Sequence, residues 1–208
     1  MTYHHGRLRA ALIEAAADAV ASHGVAALSL RALARELGVS HTAPRHHFND
    51  KRGLLTALAA DGYARLAEKL FAAGDDFLEA GVAYVRFAIE NPGHFAVMYQ
   101  PELVDEEDVA LQEARGRTGE ALLAGANNKL GAAHSDGDPP SETAAASNPL
   151  GSTLGVGSVP PYALLAWSAA HGLANLALAG TLTRMGYGED PEALAASARR
   201  ALTFLGPA

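Results

Sequence analysis

The chain has 208 residues, enough for one large domain or a small and a medium one. It is 49% hydrophobic and 19% charged, the composition of a globular protein with a core rather than a disordered chain. The net charge of −7 speaks against a general nucleic-acid binder. The absence of cysteine excludes a disulfide scaffold, a thiolate metal site and a cysteine nucleophile. No unbroken apolar run approaches the roughly 18 residues of a membrane span. Glu14 and Asp18 interrupt the start of the chain, so no signal peptide is expected there and the expected setting is the cytoplasm.

The charge is unevenly placed. Residues 1–55 carry seven basic and four acidic side chains, a net +3, and six of the nine histidines. The remainder carries nine basic and nineteen acidic side chains, a net −10. Such polarity suggests a small head that meets a polyanion and a body that repels it.

Arg7–His23 places Leu8, Ala11, Leu12, Ala15, Ala16, Ala19 and Val20 at helical spacing. Gly24 suits the stop, since glycine enters a left-handed cap freely. Ser29 then stands where an N-cap belongs, and Leu30–Leu37 makes two turns with Leu30, Leu33, Ala34 and Leu37 inward. Gly38 ends that helix, Val39 plugs the turn, and Ser40 is expected to cap a second helix, His41–Phe48. A small residue at Ala34, a glycine four residues on, a hydrophobe and a cap are the sequence form of a helix-turn-helix. The second helix of such a unit enters the major groove with its first residues on base edges. Its outward side chains are His41, Thr42, Arg45 and His46, four polar groups that a core-building hairpin has no use for. Pro44 falls in the first turn, where the lost amide matters least. His46 and His47 diverge on a helix, and a zinc site needs three or four converging ligands, so no metal is expected.

This stretch resembles the N-terminal domain of the TetR family of bacterial transcriptional regulators. The likeness rests on Ala34, Gly38-Val39-Ser40, His47-Phe48 and Lys51, and covers residues 4 to about 64, with the helix-turn-helix at about 29–48. It implies phosphate contacts from His47 and Lys51, the latter partly through its amide at a helix start. It also implies backbone contacts from Ser29, Arg31 and Ser40. It places Thr42, Ala43 and Arg45 nearest the bases. Arg45 departs from the family's usual tyrosine. An arginine there can reach a phosphate or pair with guanine, and the sequence leaves both open.

A longer helix is predicted from Lys51 to about Ala73, with Leu54, Leu55, Leu58, Tyr63, Leu66 and Leu70 on one face. Asp75 and Asp76 precede a helix Phe77–Glu90, and Asn91-Pro92-Gly93 reads as a strong breaker. Short His94–Tyr99 and long Val109–Leu130 helices follow. Residues 131–160 are rich in Gly, Ser, Pro, Asp and Ala without apolar period, and read as a flexible insert. Pro161–Gly186 is predicted as one helix that is apolar nearly all round, with a stripe of small residues at Ala166, Ala170, Ala174 and Ala177. The last helix is expected over Pro191–Phe204. Leu194, Ala198 and Leu202 on it, together with the alanine stripe, are expected to form half of a four-helix dimer interface.

Every predicted element is helical, so the expected fold is all-α: a three-helix helix-turn-helix head and a larger helical ligand-binding and dimerisation domain over 75–208. Trp167, His171 and Gly172 resemble a signature of one TetR subgroup, as do residues 84–103. The candidate pocket residues are Tyr84, Phe87, His94, Phe95, Met98, Tyr99, Trp167 and His171, an apolar set with a few polar groups. Aromatic and methionine residues at helical spacing more often serve the core, and His171 stands out as the polar group suited to a pocket.

The expected function is a dimeric regulator that binds double-stranded DNA at a palindromic operator. It would act as a repressor released by a small apolar effector. An activator or a ligand-independent DNA-binding dimer is the alternative. No nucleophile–base pair, carboxylate pair or phosphate-cradling glycine loop occurs at useful spacing, so neither catalysis nor a cofactor is expected.

Overall fold

The computed structural model describes residues 3–74, 76–126 and 161–203. The predicted insert at 131–160, with Asp75, Leu130, Phe204 and Leu205, lies outside the described residues. In chain order the helices are α1 (Tyr3–Ala27), α2 (Leu30–Glu36), α3 (Ala43–Phe48), α4 (Lys51–Ala73), α5 (Phe77–Glu90) and α6 (Pro92–Met98). A 3-10 turn at Pro101–Leu103 precedes α7 (Val109–Ala126), α8 (Pro161–Leu178), α9 (Thr181–Arg184) and α10 (Pro191–Thr203). The described residues contain no strand, and the architecture is all-α.

Two compact units emerge. One contains the chain up to Tyr63 together with Asn91–Gln112; the other contains Ala64–Glu90 and the chain from Glu113 on. The boundary expected from sequence had placed residues 91–112 in the body. By their contacts they group with the N-terminal helices, because α6 packs against α1. Gly93 shows how close that approach is. A Cβ at this position would stand 2.0 Å from the carbonyl oxygen of Ala17. The Asn91-Pro92-Gly93 breaker is therefore also the start of α6, with Pro92 in its first turn.

The first unit buries Leu12 and Ala16 from α1, Leu33 and Ala34 from α2, Phe48 from α3, and Leu54 and Leu58 from α4. Each such leucine contributes roughly 1.5–3 kcal/mol by leaving water. α1 carries its break at Gly24, where φ is 78°. The turn after α2 closes by two bonds: the Gly38 amide donates to the Arg35 carbonyl at 3.2 Å, and the Val39 amide to the Ala34 carbonyl at 2.9 Å. Gly38 supplies the left-handed conformation this pair of bonds requires, with φ 65°. The recognition helix is shorter than predicted. His41 and Thr42 form a turn and α3 begins at Ala43. Pro44 thus stands at the second helical position, where no intrahelical bond is lost.

In the second unit, α5 packs against α8 and α10. Val82, Ala195 and Leu202 form one cluster with Leu78, Ala169 and Leu173 against it. Ala177, Leu182 and Leu194 form another beside Ile89. Asp76 caps α5, its Oδ1 accepting from the Leu78 amide at 2.9 Å and the Glu79 amide at 3.2 Å. The Arg199 guanidinium pairs with both oxygens of the Glu79 carboxylate and joins α10 to α5. The helix predicted through Gly186 instead ends at Leu178. Gly180 takes φ 66°, and α9 begins after it.

The small-residue stripe of α8 faces inward. Ala166, Ala170, Ala174, Ala177, Leu194, Ala198 and Leu202 are all buried within the protomer. Leu202 packs in the cluster with Val82 and Ala195, and Ala177 and Leu194 in the cluster with Leu182. The apolar groups left uncovered on α8 are Leu164, Leu165, Leu176 and Leu178.

Gly93→Ala should destabilise the protein by about 2 kcal/mol or more, in the upper range for overpacking, because backbone rather than a side chain must give way. Urea denaturation would show this as a lower midpoint with an unchanged slope. An unchanged midpoint would mean that α6 is not held tightly against α1.

Candidate nucleic-acid interface

The helix-turn-helix brings six of the ten predicted DNA-contact residues around one groove of about 550 Å³: Ser29, Arg31, His41, Thr42, Arg45 and Lys51. Leu28 and Leu30 form its apolar wall, and Asp50 is its only acidic group. Arg31, His41, Thr42 and Arg45 are exposed. Neither Arg31 nor Arg45 makes an ion pair among the described residues, so the groove carries a net positive charge, with three cationic side chains against Asp50.

The remaining four candidates are placed differently. Ser40 serves the turn: its hydroxyl lies 2.9 Å from that of Thr42 and accepts from the Thr42 amide at 3.3 Å. Ala43 is the first residue of α3 and half-buried, while His46 is exposed. His47 lines a smaller cavity of about 170 Å³ with Arg9, Asn49 and Asp108. Arg9 reaches over the Phe48 ring at 5.4 Å from its centroid, a contact whose partners are far apart in sequence.

The surroundings of Ser29 and Lys51 differ from those expected. Ser29 occupies the N-cap position of α2 with extended backbone, but its hydroxyl makes no capping bond. The Lys51 ammonium points into the protein, donating to the carbonyls of Val25 at 2.7 Å and Ala26 at 3.3 Å. Its charge still adds to the groove, while its side chain ties the start of α4 to the end of α1. Arg52 completes the anchor by donating from Nε and Nη2 to the Val104 carbonyl at 2.9 and 2.6 Å. The Asp105 amide donates to Thr56 Oγ1 at 2.8 Å. Sequence reading missed Asp50, Arg9 and this role of residues 104–105; for Asp50 the signal was there, an acidic residue directly before a helix start.

The eight candidate pocket residues divide between the two units. In the first, His94, Phe95 and Met98 are buried, and Tyr99 stacks edge-on with Phe95 and Tyr63 at 5.4 and 5.7 Å. His94 Nε2 lies 3.1 Å from Asp61 Oδ2, and the Tyr63 hydroxyl donates to the Met98 carbonyl. Gly62 admits this packing, since a Cβ there would meet Met98 Sδ at 2.8 Å. In the second unit, Tyr84 and Phe87 are fully buried. The Tyr84 hydroxyl lies 2.8 Å from His171 Nδ1, and Trp167 stacks on the His171 ring at 4.9 Å. Burial pushes the His171 imidazole below its ordinary value of 6.5, which favours a neutral ring. No cluster of metal-ligating side chains occurs among the described residues, and none of their helices is long and apolar enough to cross a membrane.

A tight helix-turn-helix with a cationic groove, in an otherwise helical chain, defines a helix-turn-helix protein. Residues 12–58 match the family model described as bacterial regulatory proteins, tetR family. Residues 77–203, more than half of the chain, match the model described as tetracyclin repressor-like, C-terminal domain. The chain belongs to the TetR family. It is similar to the HTH-type transcriptional regulator Rv1816 of Mycobacterium tuberculosis, with 32% identity over 102 residues, 45% of this chain and 44% of that protein. The chain thus spans less than half the length of this relative. It is also similar to the HTH-type transcriptional repressor AcnR of Corynebacterium diphtheriae, 40% identical over 60 residues, 29% of this chain and 32% of that protein. A solved structure, a protein with unknown function from Rhodococcus sp. RHA1, aligns over 96% of this chain and 95% of its own. It shares 31% identity and a TM-score of 0.65.

The lowered His171 value has a sign for stability. The unfolded ring takes up a proton more readily than the folded one, so stability is full above 6.5 and falls as pH drops through 6.5 toward the folded value. Wild type should therefore lose more stability between about pH 7.5 and 5.5 than His171→Gln. Parallel losses in denaturation at the two pH values would refute it.

Proposed function

We infer that this chain is a dimeric DNA-binding transcription regulator of the cytoplasm, and that it represses transcription until a small apolar effector releases it from a palindromic operator. The observation that carries the DNA-binding reading is the groove that gathers Ser29, Arg31, His41, Thr42, Arg45 and Lys51, with Arg31 and Arg45 unengaged by acids. Phosphates neutralise such charge and release counterions, which makes binding salt-dependent. His41, Thr42 and Arg45 around the first turn of α3 are suited to base edges, and Arg45 to guanine. Repression is supported by the 60-residue likeness to AcnR, which is named a repressor.

Two heads must be spaced about 34 Å apart to meet successive major grooves. The exposed face of α8 is the surface suited to pairing. Leu164 and Leu165 stand out from it, Leu165 with 60% of its surface in water. Gly172 on the same helix has open space where a side chain would be. The effector reading rests on Tyr84, Phe87, Trp167 and His171 of the second unit, where a neutral imidazole and a phenol offer polar handles amid aromatic surface. Differential affinity for the two DNA-binding states is what lets a ligand release DNA.

Purified protein should bind a palindromic segment upstream of its own coding region, selectively and more weakly at higher salt. If it shows no sequence-selective binding there, the reading loses its main support. Arg45→Ala should weaken operator binding by about 1–3 kcal/mol and relax selectivity if Arg45 reads guanine. It should weaken all DNA equally, and flatten the salt dependence by about one ion, if Arg45 holds a phosphate.

Leu165→Glu should convert the dimer to a monomer in sedimentation and weaken operator binding roughly 10²-fold through lost avidity. A variant that stays dimeric would move the interface off this face of α8.

A further inference from the structure

The one acidic side chain in the groove is placed where a phosphate would gain most. Asp50 directly precedes α4, and its Oδ1 accepts from the Gly53 amide at 2.9 Å while its carbonyl accepts from the Leu54 amide at 3.2 Å. It is therefore the N-cap of a 23-residue helix. Its carboxylate is exposed, lines the groove with Arg31, Arg45 and Lys51, and forms no ion pair among the described residues.

The cap does not need the charge. Asparagine and serine cap helices about as well as aspartate, because what the orphan amide requires is an acceptor oxygen. The carboxylate also takes up the field of the helix start, which would otherwise favour an incoming anion. Lys51 does not offset this by pairing with it, since the ammonium is turned to the carbonyls of Val25 and Ala26. A phosphate entering the groove thus meets cations that attract it and one fixed anion that repels it.

We propose that Asp50 limits DNA affinity: its carboxylate, held in the cationic groove by the Gly53 amide, opposes the phosphate that the rest of the groove attracts. The proposal rests on the DNA-binding reading above and specifies how that interface is tuned. The repulsion concerns backbone charge and not base identity. It therefore lowers binding to operator and to unrelated DNA alike, and leaves their ratio unchanged.

The test uses Asp50→Asn and Asp50→Ser in the full chain, with wild type as the control. Binding of operator and of unrelated duplex is measured at low and moderate salt, together with the thermal midpoint. Both variants keep an acceptor for Gly53, so their midpoints should stay close to that of wild type. Both should bind operator and unrelated duplex ~3- to 10-fold more tightly at low salt, and the gain should shrink as salt screens the charge. If wild type binds DNA and both folded variants bind within twofold of it or more weakly, the proposal is overturned. Tightening confined to the operator, or unchanged by salt, overturns it as well. If only one variant folds, that variant decides. Loss of the fold in both would show the carboxylate to be structural, and would overturn the proposal too. A wild type that binds no DNA at all would instead defeat the reading on which this rests.

Discussion

The ammonium of Lys51 reaches back across 26 residues of chain to the carbonyl of Val25, and that bond ties the helix after α3 to the end of α1. α3 is only six residues long, too short to be stable by itself. Its position is set by what lies on either side. The turn before it is closed by the left-handed Gly38, and the helix after it is pinned at its first residues. Lys51 ties that start to the end of α1, Arg52 ties it to Val104, and Thr56 accepts the Asp105 amide. Hydrogen bonds from charged donors are the stronger ones, each contributing on the order of 1.5–3 kcal/mol. The backbone that carries the groove residues is thus tied at both ends of α3.

Polar groups in the molecule fall into two kinds. Some are consumed by the fold. Buried His94 meets half-buried Asp61, Ser40 binds the turn, and Arg199 holds Glu79 across α10 and α5. The Glu79 carboxyl is held below its ordinary value chiefly by the hydrogen bond from Arg199, although the pair is solvent-exposed and its net worth is small. Others stay in water with no structural task. Arg31, His41, Arg45 and His46 belong to this second kind, and they cluster on the helix-turn-helix. A surface that keeps cations unengaged in one place while pairing them elsewhere is suited to a polyanion.

The aromatic residues fall into two separate arrangements. Phe95, Met98 and Tyr99 have the character of ligand-binding side chains, and they pack with Tyr63 and Gly62 inside the N-terminal unit. Tyr84, Trp167 and His171 have the same character and form a different arrangement, in which a phenol meets a half-buried imidazole under an indole. Residue type alone does not separate these cases. The Tyr63 hydroxyl is turned toward a backbone carbonyl, and the Tyr84 hydroxyl toward the His171 side chain.

The features legible in the sequence are those governed by local rules. Helical period marked nearly every element. The Ala34–Gly38–Val39 pattern located the turn, because only glycine enters that conformation cheaply. The excess of basic residues before position 55 located the charged face. Local rules failed where the deciding partner was distant. Periodicity showed that the alanine stripe of α8 was apolar, but not that it would be buried in this chain while Leu164 and Leu165 stand in water. Lys51 could be placed at a helix start, yet the direction of its ammonium depended on Val25. Residues 91–112 joined the N-terminal unit because Gly93 allows α6 to reach Ala17. A sequence pattern determines which face of a helix avoids water, and only the tertiary structure decides what meets that face.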